Sequence, residues 1–185
     1  MKRKKRIIAV ILLCVLIYAL DIVWTIYGPR KSYSTLWEAV EADGLFEDFP
    51  EMLARSDTED YTLVVAGKGG EPEQDTNVRV FRKTANGWLS PAQVIFPLSP
   101  GQITEVGGDF CNIKVLRIVG SDSYCIYLYI DTSGTAPTFA DSLGSDFGVY
   151  NDQAISQNGY TAWAVLSAYP KGYTVYINQE AVVIS

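Results

Sequence analysis

Met1-Lys-Arg-Lys-Lys-Arg6 runs straight into apolar sequence, Ile7 to Leu20, which resumes after Asp21 as Ile22 to Tyr27. No other feature constrains the chain as strongly. Residues 7–27 make 21 positions, and about 1.5 Å of helical rise at each spans the roughly 30 Å hydrocarbon layer of a bilayer. Asp21 falls in the outer third of this stretch, where Trp24 and Tyr27 suit the aromatic belt and ease the penalty on a charge. Five cations precede the run, so the N-terminus is expected in the cytoplasm and everything after it outside.

A cleaved secretory signal shares this pattern, but signal peptidase wants small residues at the last and third-last positions before the cut. Ile17 before Ala19 and Ile26 before Gly28 do not supply them. Leu12-Leu13 before Cys14 is too bulky for a lipoprotein site, and the Gly and early acid of a pilin-type leader are missing. The expected organisation is a cytoplasmic tail at 1–6, a single transmembrane anchor at 7–27, a linker at 28–34 and an extracellular domain at 35–185.

That external part carries 10 Lys and Arg against 20 Asp and Glu from position 29 onward, a net charge of −10. Such a surface repels nucleic acid and anionic headgroups, so neither is an expected partner. The chain has no histidine, which removes Ser-His-Asp and Cys-His nucleophile pairs and leaves acid–base chemistry to carboxylates, Lys or Tyr. Abundant Tyr, Val, Ile and Thr point to strands. The fold class expected is mainly β: an antiparallel β-sandwich-like domain with one or two short N-terminal helices.

Along the chain, Thr35-Leu-Trp-Glu38 is a capping box opening a short helix that ends near Gly44. Pro50 reads as the first position of a second helical turn running to Arg55. Tyr61 to Ala66 is the first clear strand. Gly67 to Asp75 reads as a mobile surface loop, its glycines lacking the phosphate-binding spacing. Asn86-Gly87 is a two-residue hairpin signal. Gly120 to Ser123 reads as the turn between strands 113–119 and 124–130, setting Ile118 opposite Cys125 and Cys111 opposite Thr132. On that register the two sulfurs lie about 20 Å apart, beyond a disulfide's reach of roughly 7 Å between Cα atoms.

The last strands, Tyr160 to Ala168, Tyr173 to Asn178 and Ala181 to Ile184, read as one meander. Its core face holds Ala164, Leu166, Tyr173, Val175, Ile177, Val182 and Ile184. Trp163, Val165, Tyr176 and Val183 lie on the other face, which is expected to be covered by the N-terminal helices.

Candidate chemistry is sparse. Asp141, Asp146 and Asp152 gather oxygen ligands in a Gly-containing loop that suits calcium, although the spacing is not that of an EF-hand, and loops between strands hold Asp, Ser and Gly for turn-making reasons alone. No other cofactor is expected. Tyr127 and Tyr129 share one strand face and are expected at the surface. With Trp163 and Tyr176 they suit stacking on sugar rings or gripping an extended peptide, while tyrosine on a half-exposed sheet is also common by propensity. Carboxylates such as Glu38, Glu41 and Asp131 are available to a hydrolase, but nothing in their spacing selects two. The layout resembles that of short, N-terminally anchored proteins displayed on the envelope of low-GC Gram-positive bacteria. The expectation is a non-enzymatic module held in the cell membrane by residues 7–27 and binding an envelope protein or glycan, with a carboxylate-pair hydrolase as the alternative.

Overall fold

The computed structural model describes residues 11–20, 23, 31–68, 76–90, 95–97, 101–132, 134–152, 156–168 and 171–184. The chain divides into two units, Met1–Arg30 and Lys31–Ser185. In the first, residues 11–20 form helix α1. Among the described residues no helix is long and apolar enough to cross a membrane. The expected span 7–27 lies partly outside them.

The second unit is mainly β. Its helices are α2 (Leu36–Asp43) and α3 (Leu45–Asp48). Thr35 and Glu38 make the reciprocal capping box, and Gly44, at φ 72°, ends α2 in the left-handed region where glycine is free of strain. The strands are β1 (Lys31–Tyr33), β2 (Glu51–Asp57), β3 (Tyr61–Gly67), β4 (Thr76–Thr84), β5 (Gly87–Ser90), β6 (Ile95–Pro97), β7 (Gln102–Val106), β8 (Asp109–Ile118), β9 (Tyr124–Asp131), β10 (Phe139–Asp141), β11 (Gly148–Asn151), β12 (Gly159–Leu166), β13 (Thr174–Ile177) and β14 (Glu180–Val183). They form three antiparallel sheets among the described residues: β1-β5-β4-β3-β2, then β11-β12-β9-β8-β6 with β7 also on β8, then β10-β13-β14.

Three cores separate four layers. Helices α2 and α3 bury Leu36, Ala39, Val40 and Leu45 against Val64, Ala66 and Phe81 of the first sheet. The other face of that sheet, through Leu63, Val65 and Val80, meets Ile118, Cys125, Trp163 and Val165 of the second. The far face of the second sheet, through Ile113, Ile126, Leu128, Ala164 and Leu166, meets Tyr173, Val175, Ile177 and Ile184 beside the third. Strand β3 is buried at every position because both of its faces are covered.

Several expectations are corrected by this layering. Residues 50–55 are not helical: Glu51–Asp57 is an edge strand, because Ala54 and Ser56 alternate inward against the second sheet. Lys31–Tyr33, inside the expected linker, pairs with β5. The β4–β5 turn falls one residue earlier than the Asn-Gly signal, with Thr84 opposite Gly87; Gly87 instead lies against β1, where any Cβ would clash with the backbone oxygen of Tyr33. Strands β8 and β9 pair two residues out of the expected register, with Leu116 opposite Cys125 and Cys111 opposite Ile130. A two-residue shift preserves faces. Cys111 therefore points into the third-sheet core and Cys125 into the first-sheet core, and both are free thiols, their pKa values pushed up to about 12 by burial.

The meander is also corrected. Strand β12 pairs along its whole length with β9 and with β11 on its other edge, while β13 and β14 lie in the third sheet. The expected core residues do meet, but across the gap between two sheets instead of side by side in one. Trp163 and Val165 are covered by the first sheet, not by helices. Tyr176 and Val183 are on the open outer face, 37% and 59% exposed.

Candidate functional site

The face of the second sheet that looks toward the first changes character along its strands. At one end, Leu116, Cys125 and Val165 lie side by side and pack into the core between the sheets. Two residues further along each strand comes the row Lys114, Tyr127, Trp163 and Gly148, and beyond it the row Asn112, Tyr129, Thr161 and Tyr150. Phe110, Asp131 and Gly159 follow. Strand pleating puts every second residue on this face, so the sequence step from apolar to polar-aromatic becomes a step across the surface.

The rings interlock. Tyr127 and Trp163 meet edge to face at 5.0 Å between centroids, and Phe110 and Tyr129 at 6.4 Å. The Lys114 ammonium lies 5.6 Å over the Tyr127 ring. Gly159 gives Tyr129 its place: a Cβ there would come within 3.0 Å of the Tyr129 hydroxyl.

Asp152, just past β11 and buried, closes the row. Its backbone N–H donates to the Gly159 carbonyl at 2.8 Å, and its Oδ2 accepts from Thr161 Oγ1 at 2.9 Å, with the Tyr150 hydroxyl at 3.5 Å. Its Oδ1 has no hydrogen-bond partner, and neither do Trp163 Nε1 and Asn112 Oδ1. Only one other buried side-chain atom among the described residues shares that condition, Asn151 Oδ1. Buried polar groups without partners cost about 1–3 kcal/mol each, and three of them in one stretch of the sheet call for an explanation. The phenols of Tyr127, Tyr129 and Tyr150 are all held above the usual tyrosine range, first by burial and further by the Asp152 charge, Tyr150 to about 12. They remain protonated donors at neutral pH.

Three of the four expected binding aromatics thus come together, along with one expected metal ligand, but Tyr127 and Tyr129 are turned inward instead of lying at the surface. Tyr176 stands apart on the outer face of the third sheet. Asp141 and Asp146 do not join Asp152. Asp141 is buried at the end of β10, where its carboxylate accepts from Ser145 N at 2.8 Å, Leu143 N at 3.0 Å and Tyr173 Oη at 2.7 Å. Burial alone would raise its pKa, but these hydrogen bonds outweigh it and hold the carboxyl below the usual range. Asp146 is exposed, and its carbonyl accepts from the buried Ser56 hydroxyl at 2.5 Å. Among the described residues no group of three or more such side chains is placed to hold a metal ion. Sequence reasoning missed Asn112, Lys114, Tyr150 and Thr161. Their signal was the two-residue spacing on strands flanking the tyrosines, legible only once strand neighbours are known.

A concavity lies over the helices: a cavity of about 450 Å³ lined by Trp37, Glu41, Gly44, Phe46 and Glu47, adjoined by one of about 320 Å³ lined by Tyr33, Glu38, Glu41 and Ala42. No protein-family model matches the chain, and neither a curated protein nor a solved structure matches it.

Proposed function

We propose that this is a membrane-anchored envelope protein whose external domain binds a glycan without chemistry, the ligand seated where the polar-aromatic rows of the second sheet reach the surface at Phe110. The observation that carries this is that three buried polar atoms without hydrogen-bond partners, Asp152 Oδ1, Asn112 Oδ1 and Trp163 Nε1, belong to the same stretch of the sheet as the rings of Tyr127, Tyr129 and Phe110. A sugar ring offers hydroxyls that donate and accept at such groups and an apolar face for the rings. Phe110, 45% exposed, with Asn112 and Lys114 beside it forms the open side. The anchor rests on the basic start and apolar run of residues 1–27. A fusion of residues 1–30 to a reporter is expected to remain membrane-bound, external and at its original mass. A shortened, soluble reporter would remove the anchor.

For the site, the full chain in zwitterionic micelles is expected to bind at least one member of an immobilised panel of cell-wall saccharide fragments and neutral tetrasaccharides. Asp152→Asn and Trp163→Phe, each checked for an unchanged unfolding midpoint, should weaken binding on the order of tenfold, since each removes one hydrogen bond to a desolvated group. Failure of every panel member to bind would overturn the reading. New reducing ends accumulating with time, and stopping in Asp152→Asn, would make the protein a hydrolase.

A further inference from the structure

Independently of the sheet site, we propose that the cleft over α2 and α3 is a docking site for lysine or arginine side chains on an extended segment of a partner protein. Trp37 is 48% exposed, more than any other described aromatic from Lys31 onward. Its ring lies 6.1 Å from that of Phe46, tilted by 30°. Trp37 and Glu41 are four residues apart on α2 and so share a helix face, and the left-handed Gly44 turns the chain so that Phe46 and Glu47 come to the same cleft.

Both carboxylates are uncommitted. Glu38 is taken up by the Ser34 hydroxyl at 2.7 Å and Asp43 by the Arg79 guanidinium at 3.1 Å, whereas among the described residues the side chains of Glu41 and Glu47 have neither hydrogen bond nor ion pair. Residues 38–51 hold six acidic side chains and no basic one. Elsewhere the protein covers its rings with its own cations, Lys31 on Tyr33, Lys83 on Trp88 and Lys114 on Tyr127. Among the described residues no cation covers the Trp37 ring. Aromatic faces flanked by free carboxylates select a cation, through the ring quadrupole and through charge. The adjoining cavity shares Glu41, but its Tyr33 ring already carries Lys31, so one open cation subsite sits beside a groove that can take the flanking residues of a segment, which fits a peptide better than a lone amine.

The test uses the full chain in zwitterionic micelles and follows the indole N–H resonances of Trp24, Trp37, Trp88 and Trp163, with Trp37 assigned through Trp37→Phe. The probe is acetyl-Gly-Lys-Gly-Lys-Gly-amide, compared with the same peptide carrying norleucine for lysine. The lysine peptide is expected to shift Trp37 selectively, and Glu41→Gln combined with Glu47→Gln to weaken it about tenfold. The Trp88 and Trp163 resonances report on folding of that variant. Salt raised to 0.5 M should weaken the parent's binding to a similar degree, which reads the charge without any substitution. Equal shifts from the norleucine peptide, indifference to salt, or a response at Trp163 in place of Trp37 would overturn the proposal.

Discussion

Gly148→Ala is expected to cost about 3 kcal/mol or more, the range of a forced overpacking that cannot be relieved by a rotamer change. Gly148 is opposite Trp163 at the end of β11, where β2 of the first sheet presses directly on the second. A Cβ there would lie 2.5 Å from the Arg55 carbonyl oxygen and 2.8 Å from its nitrogen. These are backbone atoms of a hydrogen-bonded strand, so the sheets themselves must part. The same crossing is tied by Ser56, fully buried, which donates to the Asp146 carbonyl and accepts from the Val165 N–H at 3.1 Å. Separation would stretch both bonds and open the Trp163 side of the candidate site. For a unit of this size the unfolding midpoint should fall by roughly 10 °C. Gly134→Ala is the control, since a Cβ there meets only Thr132 Oγ1 at an ordinary 3.6 Å, and its midpoint should barely move. A Gly148→Ala protein as stable as the parent would mean that the two sheets do not touch here.

The features legible in the sequence were those whose physics is local. Thr35 and Glu38 satisfy each other across three residues, so the start of α2 could be read without any knowledge of its surroundings. Parity is equally local. Every second residue of β12 and β13 shares a face whatever those strands pair with, which is why Ala164, Leu166, Val175 and Ile177 do reach one core although their strands belong to different sheets. Pairing itself is not local. The partner of β12 is β9, some thirty residues upstream, and nothing in the Leu166-to-Tyr173 connection signals that it crosses between layers. The same limit governed the site. Trp163, Tyr127 and Tyr129 stood out by residue type, but the burial of Trp163 and Tyr127 follows from the first sheet lying over them, that of Tyr129 from Phe110 and Gly159 beside it, and Asp152 gains its meaning from Thr161, its neighbour only through β11–β12 pairing.

The third sheet gives the other large effect, and neighbouring residues should behave in opposite ways. Ile177 has no exposed surface and packs in the core between the second and third sheets, so Ile177→Ala is expected to cost about 2–5 kcal/mol in lost burial and cavity. Tyr176, one residue earlier, projects from the outer face, with Ala140 and Ala181 as its cross-strand neighbours. No layer of the described residues covers it: it is 37% exposed, and Val183 on the same face is 59% exposed. Tyr176→Ala should therefore change stability by less than about 1 kcal/mol, as exposed substitutions away from caps and buried networks do. Denaturant midpoints for the two variants, at an unchanged slope, decide the matter. The positive-φ pair Asn178 and Gln179 fixes this register, because a two-residue turn with both residues left-handed sets Ile177 opposite Glu180. If Ile177→Ala were neutral while Tyr176→Ala unfolded the domain, the register would be one residue out and the faces reversed, since a single-residue slip turns every side chain of a strand over.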